Sequence, residues 1–353
     1  MSAQINLEKD SVTRKGKKRK LFAFPALIYS PETTLALGGA GNFYFKLGRD
    51  TTVRTSYIQA LGLYTLRNQA VFGMESVIFF RREKYILKTK ASASYFPDRF
   101  WGLGDNSPNE FEKYTVGQFY IFPQLLRRVY KKLFLGPSLE IQNVFSFDYG
   151  AGLPPGTSKF DVQNVPGRKG SYVAGLGVVA SWDNRDNTFS PSKGFYFSYY
   201  VANFNPSFGS KFDYTSHTLD VRKYFPVAHN QVLAFQFYVL ANIGTAPVRS
   251  MANIGSNTIM RGYYEGRYTD NNLAALQGEY RFPVYKRFGM VVFAAAGRVA
   301  NKTTNMLTFS GLKPSLGTGV RYAIDPKEKL NFRFDVGFGQ QSNGFYFYLT
   351  EAF

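Results

Sequence analysis

Between Lys329 and Gly339 the chain alternates without a break. Leu330, Phe332, Phe334, Val336 and Phe338 fall on one face of an extended strand, and Asn331, Arg333, Asp335 and Gly337 on the other. Successive side chains of a strand point to opposite faces, so the pattern predicts one apolar and one polar surface. Lys313–Ile324 repeats it, with Leu316, Val320, Tyr322 and Ile324 opposing Ser315, Gly317, Gly319 and Arg321. A sandwich core can alternate too, but its outer face meets water and rarely needs a full ladder of phenylalanines. A membrane-spanning barrel does need one, and each crossing takes only about 9–11 residues with every second one apolar. A spanning helix would require a run of about 18 apolar residues, and the chain has none.

Sixteen such segments are predicted. Eleven are Leu21–Ser30, Thr33–Leu47, Arg54–Leu66, Gln69–Phe80, Lys84–Phe96, Tyr114–Tyr130, Lys132–Phe147, Ser171–Trp182, Gly194–Phe204, Asp213–Phe225 and Gln231–Ile243. Five more follow a long interruption: Asn272–Phe282, Phe288–Val299, Lys313–Ile324, Lys329–Gly339 and Gly344–Phe353. Connections at 48–53, 81–83, 129–131, 226–230 and 283–287 are short, whereas 97–113, 148–170 and 244–271 are long and fall on one side of an up-and-down meander. Short turns on one rim and long loops on the other are the pattern of outer-membrane barrels. Closure would pair every strand edge, as lipid demands, since it offers no hydrogen bonds to a free edge. The expected fold is therefore all-β: a closed antiparallel transmembrane β-barrel over residues 21–353, preceded by a flexible basic tail over residues 1–20.

Composition narrows the chemistry. Phe (35) and Tyr (25) far exceed ordinary usage, which suits a lipid-facing surface. With no Cys there is no disulfide, thiolate metal site or thiol nucleophile, and the two histidines, His217 and His229, lie near opposite ends of one predicted strand. No metal, cofactor or catalytic set is expected. The formal charge of +19 would suggest nucleic acid in a soluble protein. In a barrel it can instead serve anionic headgroups on both faces of the membrane, so no nucleic-acid partner is expected. The run Arg14–Lys20 then reads as a solvated tail or a lipid-facing anchor. Because Met1-Ser2-Ala3 opens no apolar segment, a secretory signal is expected to have been removed or replaced. Gly38-Gly39-Ala40-Gly41 is no phosphate loop, because strand residues Asn42-Phe43-Tyr44-Phe45 follow it where a helix would be needed.

Two motifs stand out from this background. The long interruption carries Met260-Arg261-Gly262-Tyr263, and the strand after it carries Glu279 and Arg281 on one face. Upstream, Asp183-Asn184-Arg185-Asp186 is followed by Pro191 and Gly194. The first resembles the inward sixth loop of the BamA/TamA superfamily of outer-membrane β-barrels, whose Arg-Gly-Phe/Tyr tip folds into the lumen. The second resembles that family's D-x-R-D…P-x-x-G periplasmic turn. The resemblance implies that Arg261 pairs with Glu279 and, with Gly262, Tyr263 and Arg281, locks the loop inside the barrel. Arg185 could pair with either Asp183 or Asp186. One departure is visible: Phe293-Ala294-Ala295-Ala296-Gly297 has Ala295 where the family places a second acidic partner, so one anchor is expected to be missing.

The resemblance further implies a non-enzymatic outer-membrane protein with periplasmic termini, in contact with outer-membrane lipids and lipopolysaccharide. Its protein partners would be substrate barrels, or periplasmic or surface subunits. Residues 1–20 are too few for one of the POTRA domains that usually precede such barrels. The final strand ends in Phe353, like the assembly signal of outer-membrane barrels, while Glu351 breaks its apolar alternation. Pro25 in the first strand cannot donate to a ladder, so the seam between Leu21–Ser30 and Gly344–Phe353 is expected to be weak. Three functions stay open at this point: assistance to insertion or translocation through that seam, a pore plugged by the loop, and an anchor for a surface complex.

Overall fold

Sixteen strands pair antiparallel in one sheet, each with its neighbours along the chain. The computed structural model describes residues 20–30, 34–47, 53–80, 82–326 and 329–353. All of the basic tail except Lys20, and the turn at 48–52, lie outside the described residues. The first seven strands are β1 (Lys20–Ser30), β2 (Thr34–Phe45), β3 (Ser56–Thr65), β4 (Ala70–Phe80), β5 (Tyr85–Phe100), β6 (Glu112–Tyr130) and β7 (Leu133–Tyr149). A one-turn helix, Lys159–Val162, precedes β8 (Ser171–Asp183), β9 (Gly194–Phe204), β10 (Tyr214–Ala228) and β11 (Gln231–Gly244). The long loop then contributes β12 (Ala252–Ile254) and β13 (Tyr268–Asp270), which pair with each other outside the main sheet, with one further bridge from Thr269 to Leu103. The sheet resumes with β14 (Asn272–Tyr285), β15 (Phe288–Ala300), β16 (Lys313–Asp325), β17 (Leu330–Gly339) and β18 (Ser342–Leu349).

The sheet curls until its edge strands meet. Cα atoms of β1 and β18 come within 8 Å of each other, yet no ladder joins them among the described residues. Alternation turns inside out relative to a soluble core. On β17, Phe332, Phe334 and Phe338 are 38–50% exposed, whereas Arg333 and Asp335 between them are 1% and 0% exposed. No helix among the described residues is long and apolar enough to cross a membrane; the crossing elements are strands.

Connections 101–111, 150–170, 205–213, 245–271 and 301–312 leave one rim, and the first and last described residues, Lys20 and Phe353, lie toward the other, the rim of the chain ends. The first of these is shorter than expected because β5 and β6 extend to Phe100 and Glu112, against Phe96 and Tyr114 in the sequence reading. Above the wall the long loops pack on each other. Phe160 of the short helix stacks on Phe100 at 4.1 Å and joins a buried cluster with Tyr114, Val144 and Val248. Gly38–Gly41 is strand, as its sequel required; a side chain at Gly38 would collide with the Gly62 carbonyl.

The last strand is shorter than the sequence suggested. Thr350 adopts φ 70°, a left-handed conformation that ends the extended run. Glu351, Ala352 and Phe353 then turn inward and are buried. Phe353 packs with Tyr224, Val232 and Ala234 of β10 and β11, so it does not belong to the seam as expected. Pro25 does stand on the edge strand, opposite Gly39 of β2.

Because Phe334 faces outward at mid-strand, replacing it with Lys should lower the unfolding free energy in lipid by about 2–4 kcal/mol. A urea titration in vesicles measures this; an unchanged midpoint would mean that this face does not meet hydrocarbon.

Candidate functional site

The long loop enters the lumen because its sequence supplies both a bend and a sticky tip. Met260 (φ 56°) and Gly262 (φ 111°) flank Arg261 with left-handed backbone, which reverses the chain. The Gly262 backbone lies so close to β17 that a Cβ would meet Phe338 C at 2.7 Å, and one at Gly337 would meet Gly262 N at 2.7 Å. Only glycine at 262 and 337 lets the two backbones approach this closely. Behind the tip, Met260 and Tyr263 are fully buried in an apolar cluster with Ala252, Ile254, Leu273 and Val299.

Arg261 itself is 1% exposed. One guanidinium nitrogen lies 2.5 Å from Glu279 on β14 and the other 2.5 Å from Asp335 on β17. The group stacks on Phe293 of β15, 3.6 Å from the ring centre. The structure thus brings Arg261 and Glu279 together, and supplies a second carboxylate from a strand that the family pattern does not indicate. Ala295, where that pattern has an acid, packs instead against the apolar Met260 cluster. A carboxylate there would be desolvated among methyl groups. The loop does not lack its second anchor: Asp335 provides it.

The network continues toward the rim that carries the chain ends. Arg281 donates to Glu279 (2.7 Å), to the Phe353 carbonyl (2.8 Å) and to the Pro191 carbonyl (3.2 Å). Arg321 on β16 bridges Asp335 (2.6 Å) and Glu351 (2.7 Å). Burial pushes the Glu351 carboxyl up, but Arg321 and Arg281 pull it below its ordinary value. Arg333 is buried beside Asp335 at 3.6 Å. Four guanidiniums therefore share three carboxylates.

Backbone groups at the tip are satisfied by side chains of the wall, as buried polar groups require. Tyr346 of β18 accepts from Gly262 N (3.0 Å) and donates to the Tyr263 carbonyl (3.1 Å). The Tyr263 hydroxyl donates to the Pro314 carbonyl at 2.6 Å and accepts from Gln340 N at 2.8 Å. Gln277 donates to the Thr258 carbonyl at 2.7 Å. Sequence reasoning missed Asp335, Arg321, Tyr346 and Phe293. Only Asp335 and Arg321 left a signal, as charged residues on the polar face of alternating strands.

The second motif closes the rim below. Arg185 takes Asp183 as its partner in a two-pronged pair (2.9 and 3.1 Å), not Asp186. Asp186 accepts from Ser192 N (2.8 Å), Lys193 N (3.1 Å) and Lys329 Nζ (2.8 Å). Burial would raise its carboxyl, but the hydrogen bonds from Lys329, Ser192 and Lys193 hold it well below the usual carboxylate range. Gly194 (φ 112°) completes the turn. Through Arg281–Pro191 and a bond from Glu351 N to the Phe189 carbonyl (3.1 Å), this turn is tied to the loop network.

Beyond the tip the loop reaches the opposite wall. Tyr264 donates to Asp98 (3.0 Å), Arg249 donates to Tyr114 and Gln118 (both 3.1 Å), and Arg267 donates to Asn109 at 2.7 Å. Beneath it a cavity of about 2800 Å³ remains, lined by Glu140, Asp220 and Arg222 on the wall and by Met251 and Thr258 of the loop. Phe22 and Pro25 of β1 and Phe347 and Leu349 of β18 line the same cavity.

A sixteen-stranded barrel, apolar outside and charged within, and closed on one side by an inward Arg-Gly-Tyr loop, defines an outer-membrane β-barrel protein. The chain matches the Omp85 superfamily domain over residues 42–353 and belongs to that superfamily. Its fold is similar to BamA from Haemophilus ducreyi lacking POTRA domains 1-3, with TM-score 0.59, 12% identity, and coverage of 96% of this chain and 70% of that one. It is also similar to CdiB from Acinetobacter baumannii, with TM-score 0.54, 9% identity, and coverage of 94% of this chain and 65% of that one. The chain thus spans about two thirds of the length of these solved relatives. No curated protein sequence matches it.

Counting charges orders the variants. Removing Arg261 leaves three guanidiniums with three carboxylates, whereas Glu279→Ala or Asp335→Ala leaves four with two. Each acid variant should therefore cost about 3–5 kcal/mol in vesicle unfolding, more than Arg261→Ala. Arg261→Ala with Glu279→Ala should cost less than the sum of the two. Strict additivity would show that the groups do not act as one network.

Proposed function

We propose that this protein assists the insertion or translocation of other proteins at the outer membrane by opening between β1 and β18, without catalytic chemistry of its own. The observation that carries this reading is the seam. The two edge strands lie side by side with no ladder between them among the described residues, and both line the internal cavity. An edge strand with free N–H and C=O groups is a template for an incoming strand. Pro25 removes one donor from that edge. The rim with the chain ends faces the periplasm, which puts the long loops outside and the Asp183–Gly194 turn where periplasmic subunits could reach it. The inward loop, held by Arg261 and Tyr346, blocks the outer end of the lumen, which favours lateral passage over a straight pore. Substrate barrels and separate periplasmic subunits are the partners this reading requires.

The chain has no Cys, so paired cysteines along Lys20–Ser30 and Ser342–Leu349 test it directly. A disulfide forms where Cα atoms lie within roughly 7 Å. The expected result is a crosslinked barrel that stays folded, no longer supports assembly of client proteins in cells, and recovers on reduction. Full activity with the seam crosslinked would overturn lateral opening and leave the pore or anchor reading.

A further inference from the structure

The sequence suggested cations for both membrane faces; the structure gathers an outward-facing set of them at one. At four hairpins of the rim that carries the chain ends, a lysine ammonium sits over an aromatic ring near the membrane-facing surface. Lys84 lies 5.9 Å from the Tyr85 ring, Lys131 5.1 Å from Tyr130, Lys223 5.2 Å from Phe225 and Lys286 4.9 Å from Tyr285. Tyr130, Phe225 and Tyr285 are 43–63% exposed. At the opposite rim the cations over rings are arginines: Arg267 stacks on Trp101 and Tyr268 beneath the packed loops, and Arg99 on the partly exposed Phe111.

Turn chemistry gives a second, independent sign. Tight turns at both rims need left-handed residues, for which Asn and Gly are best suited. The loop-side rim uses Asn68 (φ 58°), Asn164 (φ 46°) and Gln341 (φ 53°). The other rim places Arg82 (φ 55°), Lys131 (φ 41°) and Lys286 (φ 48°) in the same conformation, with Asn230 (φ 57°) as its one amide. Lys329 (φ 56°) is tied to Asp186, and Glu83 is buried against Arg54 and Arg128. Glu83 and Asp186 thus have cations of their own, and among the described residues none of the four ring-stacked lysines is paired with a carboxylate. Positive charge stands in these turns where the backbone would prefer asparagine.

We propose that this rim is a collar that binds anionic glycerophospholipid headgroups, each lysine reaching a phosphate while its aromatic neighbour sits at the edge of the hydrocarbon. The inference rests on the outer-membrane barrel reading. A lipid leaflet fits better than a protein partner because the four hairpins, β4–β5, β6–β7, β10–β11 and β14–β15, are spread around the perimeter. One protein would cover an arc, whereas a leaflet touches them all. Long lysine stems lying along apolar rings with their charge in the headgroup plane are the expected behaviour at such a boundary.

The test uses the full chain in vesicles of equal phosphatidylglycerol and phosphatidylcholine, with retained lipid read by native mass spectrometry. The wild type should retain phosphatidylglycerol in preference, by about five-fold for each lysine engaged, and the preference should shrink as salt is raised. The variant Lys84→Gln, Lys131→Asn, Lys223→Gln, Lys286→Asn should remain folded, since Asn suits the two left-handed positions, and should retain both lipids equally. Equal retention by the wild type, or an undiminished preference in the folded variant, would overturn the proposal. So would a variant that keeps the lipid preference but loses a co-purifying envelope protein, since the collar would then serve that protein. Failure to insert into vesicles of any composition would sink the barrel reading together with the inference, whereas insertion with no lipid preference sinks the inference alone.

Discussion

A charged loop tip can rest inside a barrel only if the wall answers every charge and every backbone dipole it brings. Arg261 is answered by Glu279, Asp335 and the face of Phe293, and the peptide groups beside it by Tyr346. These partners come from β14, β15, β17 and β18, so nearly the whole final third of the sheet is organised around one guanidinium. Glycines at 262 and 337 let the tip come close enough for this to happen. A buried ion pair is seldom the most stable filling for such a space, because desolvation offsets much of the attraction. What it does supply is direction, since a guanidinium held by two carboxylates on separate strands has one place to be.

The lumen is consequently filled unevenly. The loop packs against β14 and β15 and the loop-side part of β17 and β18, while the side toward β1–β10 and the opposite ends of β16–β18 border the cavity. The filled half and the open half meet at the seam, where β18 carries the Tyr346 clamp and β1 carries Pro25. Each edge strand is fully laddered to its inner neighbour, so among the described residues the line between β1 and β18 is where the sheet is free of hydrogen bonds.

Much of this was legible beforehand. Period-two alternation reveals strands whatever their partners, and the loop-length asymmetry follows from counting, so sixteen strands and their order could be read directly. Glu279 was legible because it follows a recognisable motif on the same face as Arg281. Asp335 was written in plain view, on the polar face of the most regular strand, but nothing in a linear pattern says which lumenal acid an arginine 74 residues away will choose. Strand ends were the least legible. Residues 344–353 alternate well enough to look like one strand, and only the left-handed Thr350 and the buried partners of Glu351 reveal the inward turn. Glu351 looked like an irregularity in a lipid-facing pattern because the face it belongs to is not the lipid face.

That inward turn sets an order of events for the folding chain. The ion network draws on residues 261, 279, 281, 321, 333 and 335, and its last member is Glu351. Until residue 351 has arrived, four guanidiniums face only two carboxylates, and sealing them away from water is at its least favourable. Hairpins earlier in the barrel need none of these residues, but the loop's lock is short of a carboxylate until the last residues of the wall are in place. The lock is therefore tightest on a barrel whose final turn is in place.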